Sequence, residues 1–484
     1  MTLPGMTVTE LDGALGAVPV GTRVLAVVGV SSSGPIATPA AFGNKTALAA
    51  AFGVGPLVEM AARAIDAGCV ALVCRTGQTT DGATGTIDVS KVTGTASGGG
   101  FITATAGAKP YDDYQLVVKI VTGGTTGTAG IIYQVSLDGG RTYGPQTALG
   151  TGLIIAPSNT GISITLTTGK TFIAGDYFSA TTTAPAPNSS EVTTALTAIK
   201  NTASPWADAG LAFPIDATIF DAVNTAFAAM AAAGKPRYFV GGFRIPTDAE
   251  SESTYRTAFQ TALSAKSTVY GTICAGAMQL TSSISGFSYR RSIVFHVAPL
   301  TASVAEHIDV ADVNLGAAIG GSLTDSNGNN VYHDEAINPG LDDDRACTMR
   351  TWDGDLQGAY ITRPRVFSAT GSDFSIAPLR RVMNIARIAV RSYLIRRLNR
   401  PVQLDKKTGY ILEADAVEIE AGCNAALRSV LGAEPKASGW NTAVHRDDNI
   451  LSTKTMNIDV RILPLGYVEY INETIAFRNP AVAV

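Results

Sequence analysis

Several residue groups in this chain have the types needed for chemistry, and each would need partners at a fixed spacing. Gly29-Val-Ser-Ser-Ser-Gly34 follows an apolar run, where a phosphate-binding loop would sit. Such a loop needs Lys-Ser or Lys-Thr behind its second glycine to meet the phosphates and Mg²⁺. Here Pro35-Ile36 follows, and no Gly-x-Gly-x-x-Gly fingerprint replaces it, so the segment reads as a structural turn. His333-Asp334-Glu335 and Asp342-Asp343-Asp344 are rich in cation ligands. Calcium loops alternate oxygen ligands around a glycine turn; neither segment does, and both read as solvated loop charges. The histidines His296, His307, His333 and His445 are scattered. Ser292 to His296 lacks the Gly-x-Ser-x-Gly elbow that would expose a nucleophile. Cys69, Cys74, Cys274, Cys347 and Cys423 are odd in number and form no Cys-x-x-Cys, so neither a disulfide framework nor a zinc site is expected. No catalytic, metal or cofactor residue is assigned, no cofactor is expected, and the chain does not read as an enzyme.

Two further segments have a binding and a structural reading. Ser136-Leu-Asp138-Gly-Gly140-Arg-Thr142-Tyr143 has the Asp-box pattern, a hairpin-stabilising device of sialidases and many unrelated β-domains. Its Asp and glycines suit a turn. A sialidase repeats the box and adds an arginine cluster; one box here points to a structural role. Between Ile376 and Asn399 an amphipathic helix carries Arg380, Arg381, Arg387, Arg391, Arg396 and Arg397. These arginines either are solvated or paired with acids such as Glu413, Asp415, Glu418 and Glu420, or form a docking face for an acidic partner.

The elements that must position these groups divide the chain. Its 484 residues exceed the ~250–300 that one core supports. Only 16% are charged and 46% are hydrophobic. Soluble proteins usually carry about 25% charged residues, so part of this surface is expected to be buried against partners. A net charge of −4 does not suggest nucleic-acid binding. No secretory leader and no run of ~18 apolar residues is visible, so folding in a cytoplasm without membrane insertion is expected. Residues 23–30 and 70–74 read as strands buried on both faces, with helices at 44–52 and 56–67 between them. Cys69 and Cys74 should point to opposite faces as small buried hydrophobes. Residues 79–187 turn abruptly rich in Thr, Gly, Ala and Ser, with short β-type runs and glycine pairs between them. A linker-like stretch at 181–190 closes this segment. Beyond it, helices are expected at 216–233, 247–267, 376–399 and 414–431. Strands are expected at 237–241, 269–275, 292–298, 456–463 and 467–477.

Three blocks together resemble contractile-tail sheath proteins, in particular Mu-like sheaths and the sheaths of contractile injection systems. The first is Val24-Leu-Ala-Val-Val-Gly-Val30, Gly34-Pro35, Ala47 to Gly53 and Ala61 to Arg75. The second is Gly358-Ala-Tyr-Ile-Thr-Arg-Pro-Arg365, then Gly371-Ser-Asp-Phe374 and Arg381-Val-Met-Asn-Ile-Ala386. The third is the β-rich C-terminus. The order of the blocks is more specific than any one of them. The likeness covers roughly 20–78 and 191–484. It departs at Gly68-Cys69, where many sheaths have a longer glycine run.

The resemblance implies an α/β core, α+β in its mixed sheets, built from N- and C-terminal segments, with an all-β insertion domain and extended terminal arms. The expected layout is an N-terminal arm at 1–20 and a sheath core at 21–78 and 191–360. A β-sandwich-like insertion occupies 79–187, a C-terminal sheath domain 361–467 and a C-terminal arm 468–484. The implied role is structural: hexameric rings stacked around a tail tube, contracting to drive it through a bacterial envelope. Implied partners are further copies of the chain, the tube protein, and baseplate and tail terminator proteins, in a virion tail assembled in a host cytoplasm. Arg380, Arg381, Arg387 and Arg391 would face the tube. Met6, Val8, Val468, Tyr470, Ile475 and Phe477 would lie on arm strands added to neighbouring subunits. The competing reading is a β-rich adhesin or carbohydrate-binding surface protein.

Overall fold

Val24–Gly29 (β1) carries no polar side chain, and such a strand is stable only where both of its faces are covered. The computed structural model describes residues 23–475 apart from 99, 248–249, 325–331, 353 and 355. After β1 come Ala40–Phe42 (β2), Lys45–Phe52 (α1), Pro56–Asp66 (α2) and Val70–Arg75 (β3). Asn44 caps α1 by accepting from the Thr46 and Ala47 amides, and Pro56 opens α2, where its missing N–H is harmless. The β-rich stretch follows, with Gln115–Thr122 (β4), Ile132–Ser136 (β5) and Tyr177–Thr183 (β6) as its longest strands. Then come Ser189–Asn201 (α3), Asp208–Pro214 (β7), Ala217–Ala232 (α4), Tyr238–Gly242 (β8), Glu252–Leu263 (α5) and Gly271–Cys274 (β9). A hairpin of Ala277–Thr281 (β10) and Ser288–Ser292 (β11) leads into Val294–Ser303 (α6).

The central sheet has the order β9-β8-β7-β1-β3-β2, parallel except for β2. Its middle strand sets the layering. Leu25 and Val27 enter one core with Leu57, Met60 and Ala61 of α2 and Val297 and Ala298 of α6. Ala26 and Val28 point the other way, onto Leu196 and Ile199 of α3, Phe227 of α4 and Phe259 of α5. Cys69 lies in the first core and Cys74 in the second, as the period of two requires, and all five cysteines are buried and free. Burial pushes the Cys69 thiol up to about 11 and that of Cys74 to about 12, so neither is a nucleophile.

Within 79–187, β6, β4 and β5 form the centre of a five-stranded antiparallel sheet. Leu116, Val118, Ile120 and Phe178 from that sheet meet Ile155, Ile164 and Leu166 of a smaller one in a third core, which Tyr289 of β11 also joins. The stretch 181–190 is not a free linker. Thr181–Thr183 belong to β6, Ala186 bridges to Thr80, and Asn188 forms a capping box with Glu191 at the start of α3. The strand expected at 292–298 is instead α6. Val294-Phe-His-Val-Ala is apolar on every face, and such a run lacks the periodicity that separates a buried helix from a buried strand.

Two compact units divide at Asn384/Ile385, inside the helix Ala377–Ile395 (α7), whereas the sequence reading placed a boundary at 360/361. The second unit contains Glu413–Leu431 (α8) and the antiparallel pair Gly439–Val444 (β12) and Ile458–Leu463 (β13). Ala416, Ile419, Cys423, Leu427 and Leu431 of α8 and Thr442 and Val444 of β12 are among its buried residues. Residues 464–475 carry no strand, unlike the expectation for 467–477. Among the described residues no helix is long and apolar enough to cross a membrane.

Candidate functional site

The loop after β1 is closed by its own chain. The Ser32 amide donates to Val54 O (2.8 Å), Ser33 N to Phe52 O (3.2 Å), and the Arg75 guanidinium donates to Gly34 O (2.8 Å). Amides already paired within the chain cannot cradle a phosphate. Gly34 sits at φ +93°, which a turn here requires. The Asp-box is also turned inward. The Asp138 carboxylate accepts from Ser136 Oγ (2.7 Å), Thr142 N (2.9 Å) and Thr142 Oγ1 (2.6 Å), while Ser136 Oγ accepts from Gly140 N (2.9 Å). With Asp138 buried, these bonds pin the turn after β5 and leave its carboxylate no face for a ligand.

The two acidic segments form an internal network rather than solvated loops. The buried His333 ring contacts Glu252 through Nδ1 (2.8 Å) and Glu335 through Nε2 (2.9 Å). Burial opposes its charge, yet these two carboxylates outweigh burial and hold the imidazole up at about 9. Asp334 accepts from Thr351 N and Oγ1, Asp342 takes a bidentate pair from Arg365 (2.8 and 2.9 Å), and Asp344 takes Arg256 (2.7 Å) and Gln260. His333, Asp334, Asp342 and Asp344 therefore tie 333–344 to Glu252, Thr351, Arg365 and Arg256, while Glu335 braces the segment internally.

In the second unit, His445, Asp447 and Asp448 place three metal-ligating atoms within 4.8 Å of one another. That group is partly exposed, and Asp448 already accepts from the Asn457 amide and side chain. Sequence reading had not singled it out, because His445 and the Asp pair follow no metal spacing.

The four arginines assigned to a docking face separate. Arg380 and Arg381 are buried in the first unit. Arg380 lies over the rings of Tyr270 (5.0 Å) and Phe374 (4.9 Å). Arg381 forks onto Asp208 at the start of β7 (3.1 and 3.3 Å) and donates to the Ala305 and Val304 carbonyls. Arg387 and Arg391 are exposed on α7. Of the acids proposed as partners, Glu418 takes Arg397, while Glu413 and Glu420 take Arg446. Among the arm residues, Val468, Tyr470 and Ile475 are exposed, and Met6, Val8 and Phe477 lie outside the described residues. Sequence reading also missed the buried pair of Arg291 with Asp112, which joins β11 to the β-rich stretch (NH2 to Oδ2, 2.7 Å). The two residues are 179 positions apart, and nothing local marks them.

No family model and no curated protein matches the sequence. Solved structures do. The sheath tail protein of Listeria innocua is 12% identical with a TM-score of 0.45, covering 92% of this chain and 96% of that one. The sheath tail protein of Desulfitobacterium hafniense is 11% identical with a TM-score of 0.46, covering 95% and 100%. A chain of the anti-feeding prophage baseplate is 9% identical with a TM-score of 0.50, covering 99% of each chain. The last likeness speaks to fold, and over 99% of its length this chain has the fold of a component of the anti-feeding prophage baseplate.

Proposed function

We propose that this chain is the structural subunit of a contractile tail sheath. It stacks as hexameric rings around a tail tube and contracts to drive the tube through a bacterial envelope, as part of a virion tail with baseplate and terminator proteins at its ends. The observation that carries this reading is the fold shared over 99% of both chains with a baseplate component. The second unit adds physical support. Among the described residues, β12 and β13 pair only with each other, leaving two open edges. A two-stranded sheet is marginal by itself and gains from added strands. The described residues after β13 carry no regular secondary structure, with Val468 79% exposed and Ile475 84% exposed, a poor arrangement for an isolated chain. We assign 1–20 and 468–484 as arms that add strands to neighbouring subunits. Arg387 and Arg391 are the residues we assign to the tube. Arg380 and Arg381 act within the chain instead: Arg381 is ion-paired with Asp208 in the core, and Arg380 is buried over the rings of Tyr270 and Phe374. Contraction is then rigid-body motion between two packings of one subunit, without catalysis.

Negative-stain electron microscopy of the purified protein across a concentration series tests the reading. Tubes or stacked rings of uniform diameter are expected. Discrete monomers or trimers at every concentration, with and without the cognate tube protein, would overturn it.

A further inference from the structure

A cavity of about 360 Å³ opens at the carboxyl ends of β7 and β8, where the β-rich stretch folds over the central sheet. In open α/β sheets this edge is where ligands bind, and the volume falls in the usual range for small-molecule sites. Its walls are mostly apolar, with Phe213, Phe243 and Phe295 among the lining side chains.

The hydrogen-bonding groups around it are lopsided. Pro56, Pro185, Pro214 and Pro246 line it and have no N–H to offer. The amides of Phe243 and Ala186 donate to Cys274 O and Thr80 O, and that of Leu57, at the start of α2, donates to Val30 O. The three arginines at the wall are held by the protein itself: Arg244 forks onto Glu250 (2.6 and 2.7 Å), Arg291 onto Asp112, and Arg290 donates to Pro246 O. An anion therefore finds few donors here. Asp113, by contrast, lines the cavity with a carboxyl that accepts from the Ala184 amide, N to Oδ1 at 2.7 Å.

We infer that this cavity binds a small organic cation, an apolar ring-sized body bearing one protonated amine that meets the Asp113 carboxylate while the phenylalanines enclose the ring. Nothing in this depends on the sheath reading. Burial, then the neighbouring Asp112 charge, push the Asp113 carboxyl up to about 6, while Arg291 and Arg290 oppose them. Arg244, also at the wall, is paired with Glu250, and Glu59, which feels Asp112 and Arg291, accepts from Ser282. The carboxylate is thus ionised at pH 7.5 and largely protonated at pH 5.

The test is saturation-transfer NMR and calorimetry on the full chain, with phenethylamine as probe and 3-phenylpropionate as its anionic counterpart. Phenethylamine should bind at pH 7.5, at least tenfold more tightly than 3-phenylpropionate, and weaken about tenfold by pH 5, the change expected for one titrating carboxylate. Asp113→Asn keeps the acceptor for the Ala184 amide and should lose at least tenfold in affinity. Thr181→Trp, on the exposed rim, should block entry while leaving the melting temperature unchanged. Equal binding of the acid and the amine would overturn the inference. So would unchanged affinity in Asp113→Asn, or the absence of amine binding at millimolar concentration.

Discussion

Arg381 and Asp208 show what a buried charge does in this fold. Burial is the largest influence on Asp208 and pushes its carboxyl upward; Arg381 opposes it with charge and hydrogen bonds. A buried pair is weak evidence for stability, yet breaking one side is costly, at about 3–5 kcal/mol, because the other charge stays buried. Arg381→Met should therefore lower the melting temperature of the first unit sharply, and adding Asp208→Asn should recover most of the loss in the same calorimetric scan. His333 and His296 set opposite pH limits. His333 is held up at about 9 against an ordinary value near 6.5, so its stabilisation is fully present below 6.5 and fades as pH rises through 9. His296 is buried and pushed down to about 4, first by burial and then by Arg63; its contribution is present above 6.5 and fades as pH falls through 4. Denaturation midpoints against pH should rise from pH 4 to a maximum near 6.5 and decline from there towards pH 9. His333→Gln should remove the alkaline decline and leave the acid one, and an alkaline limb unchanged in that variant would refute the assignment.

At the scale of elements, the Asp138 carboxylate accepts three hydrogen bonds in one hairpin turn, and losing a buried acceptor leaves its donors unmatched at about 1–3 kcal/mol each. Asp138→Ala should loosen the turn after β5, visible as faster amide exchange at Gly140 and Thr142, with the central sheet unaffected. Elements with a strong local signal were legible in the sequence. The apolar run of β1, the Pro56 start of α2, the Asp216 start of α4, and the alternation of β13 all stand where pattern and propensity place them. What failed was decided by distant contacts. A run apolar all round became α6 because a helix, not a strand, fills the space over β7 and β8. The arginines of α7 looked like one charged face, but burial at 380–381 and exposure at 387 and 391 depend on what packs against each turn. The carboxylates at 334–344 looked solvated because their partners, Arg256 and Arg365 among them, lie far off in sequence. The cavity beside Asp113 was invisible for the same reason: β6, β7, β8 and β11 assemble it from four separate stretches.

At the scale of the whole molecule, a chain with only 16% charged residues and with Val468, Ile471 and Ile475 exposed after β13 gains by covering surface in an assembly. The strand addition and tube contact proposed above rest on different physics, so they can be separated. Backbone hydrogen bonds to an added strand are little affected by salt, whereas exposed charges are screened within about 8 Å at physiological ionic strength. Deleting 468–484 should therefore abolish rings and tubes at every salt concentration, as seen by sedimentation and negative stain. The double reversal Arg387→Glu with Arg391→Glu should leave ring stacking intact and weaken co-sedimentation with the tube protein, most strongly at low salt, where the unmodified chain gains most from an acidic surface. Placing the same reversals at Arg396 and Arg400, also exposed, controls for net charge. If those reversals weaken co-sedimentation equally, the tube senses overall charge rather than the face of α7. If Arg387 and Arg391 matter alone, the helix that begins in the first unit and ends in the second also presents the contact to the tube.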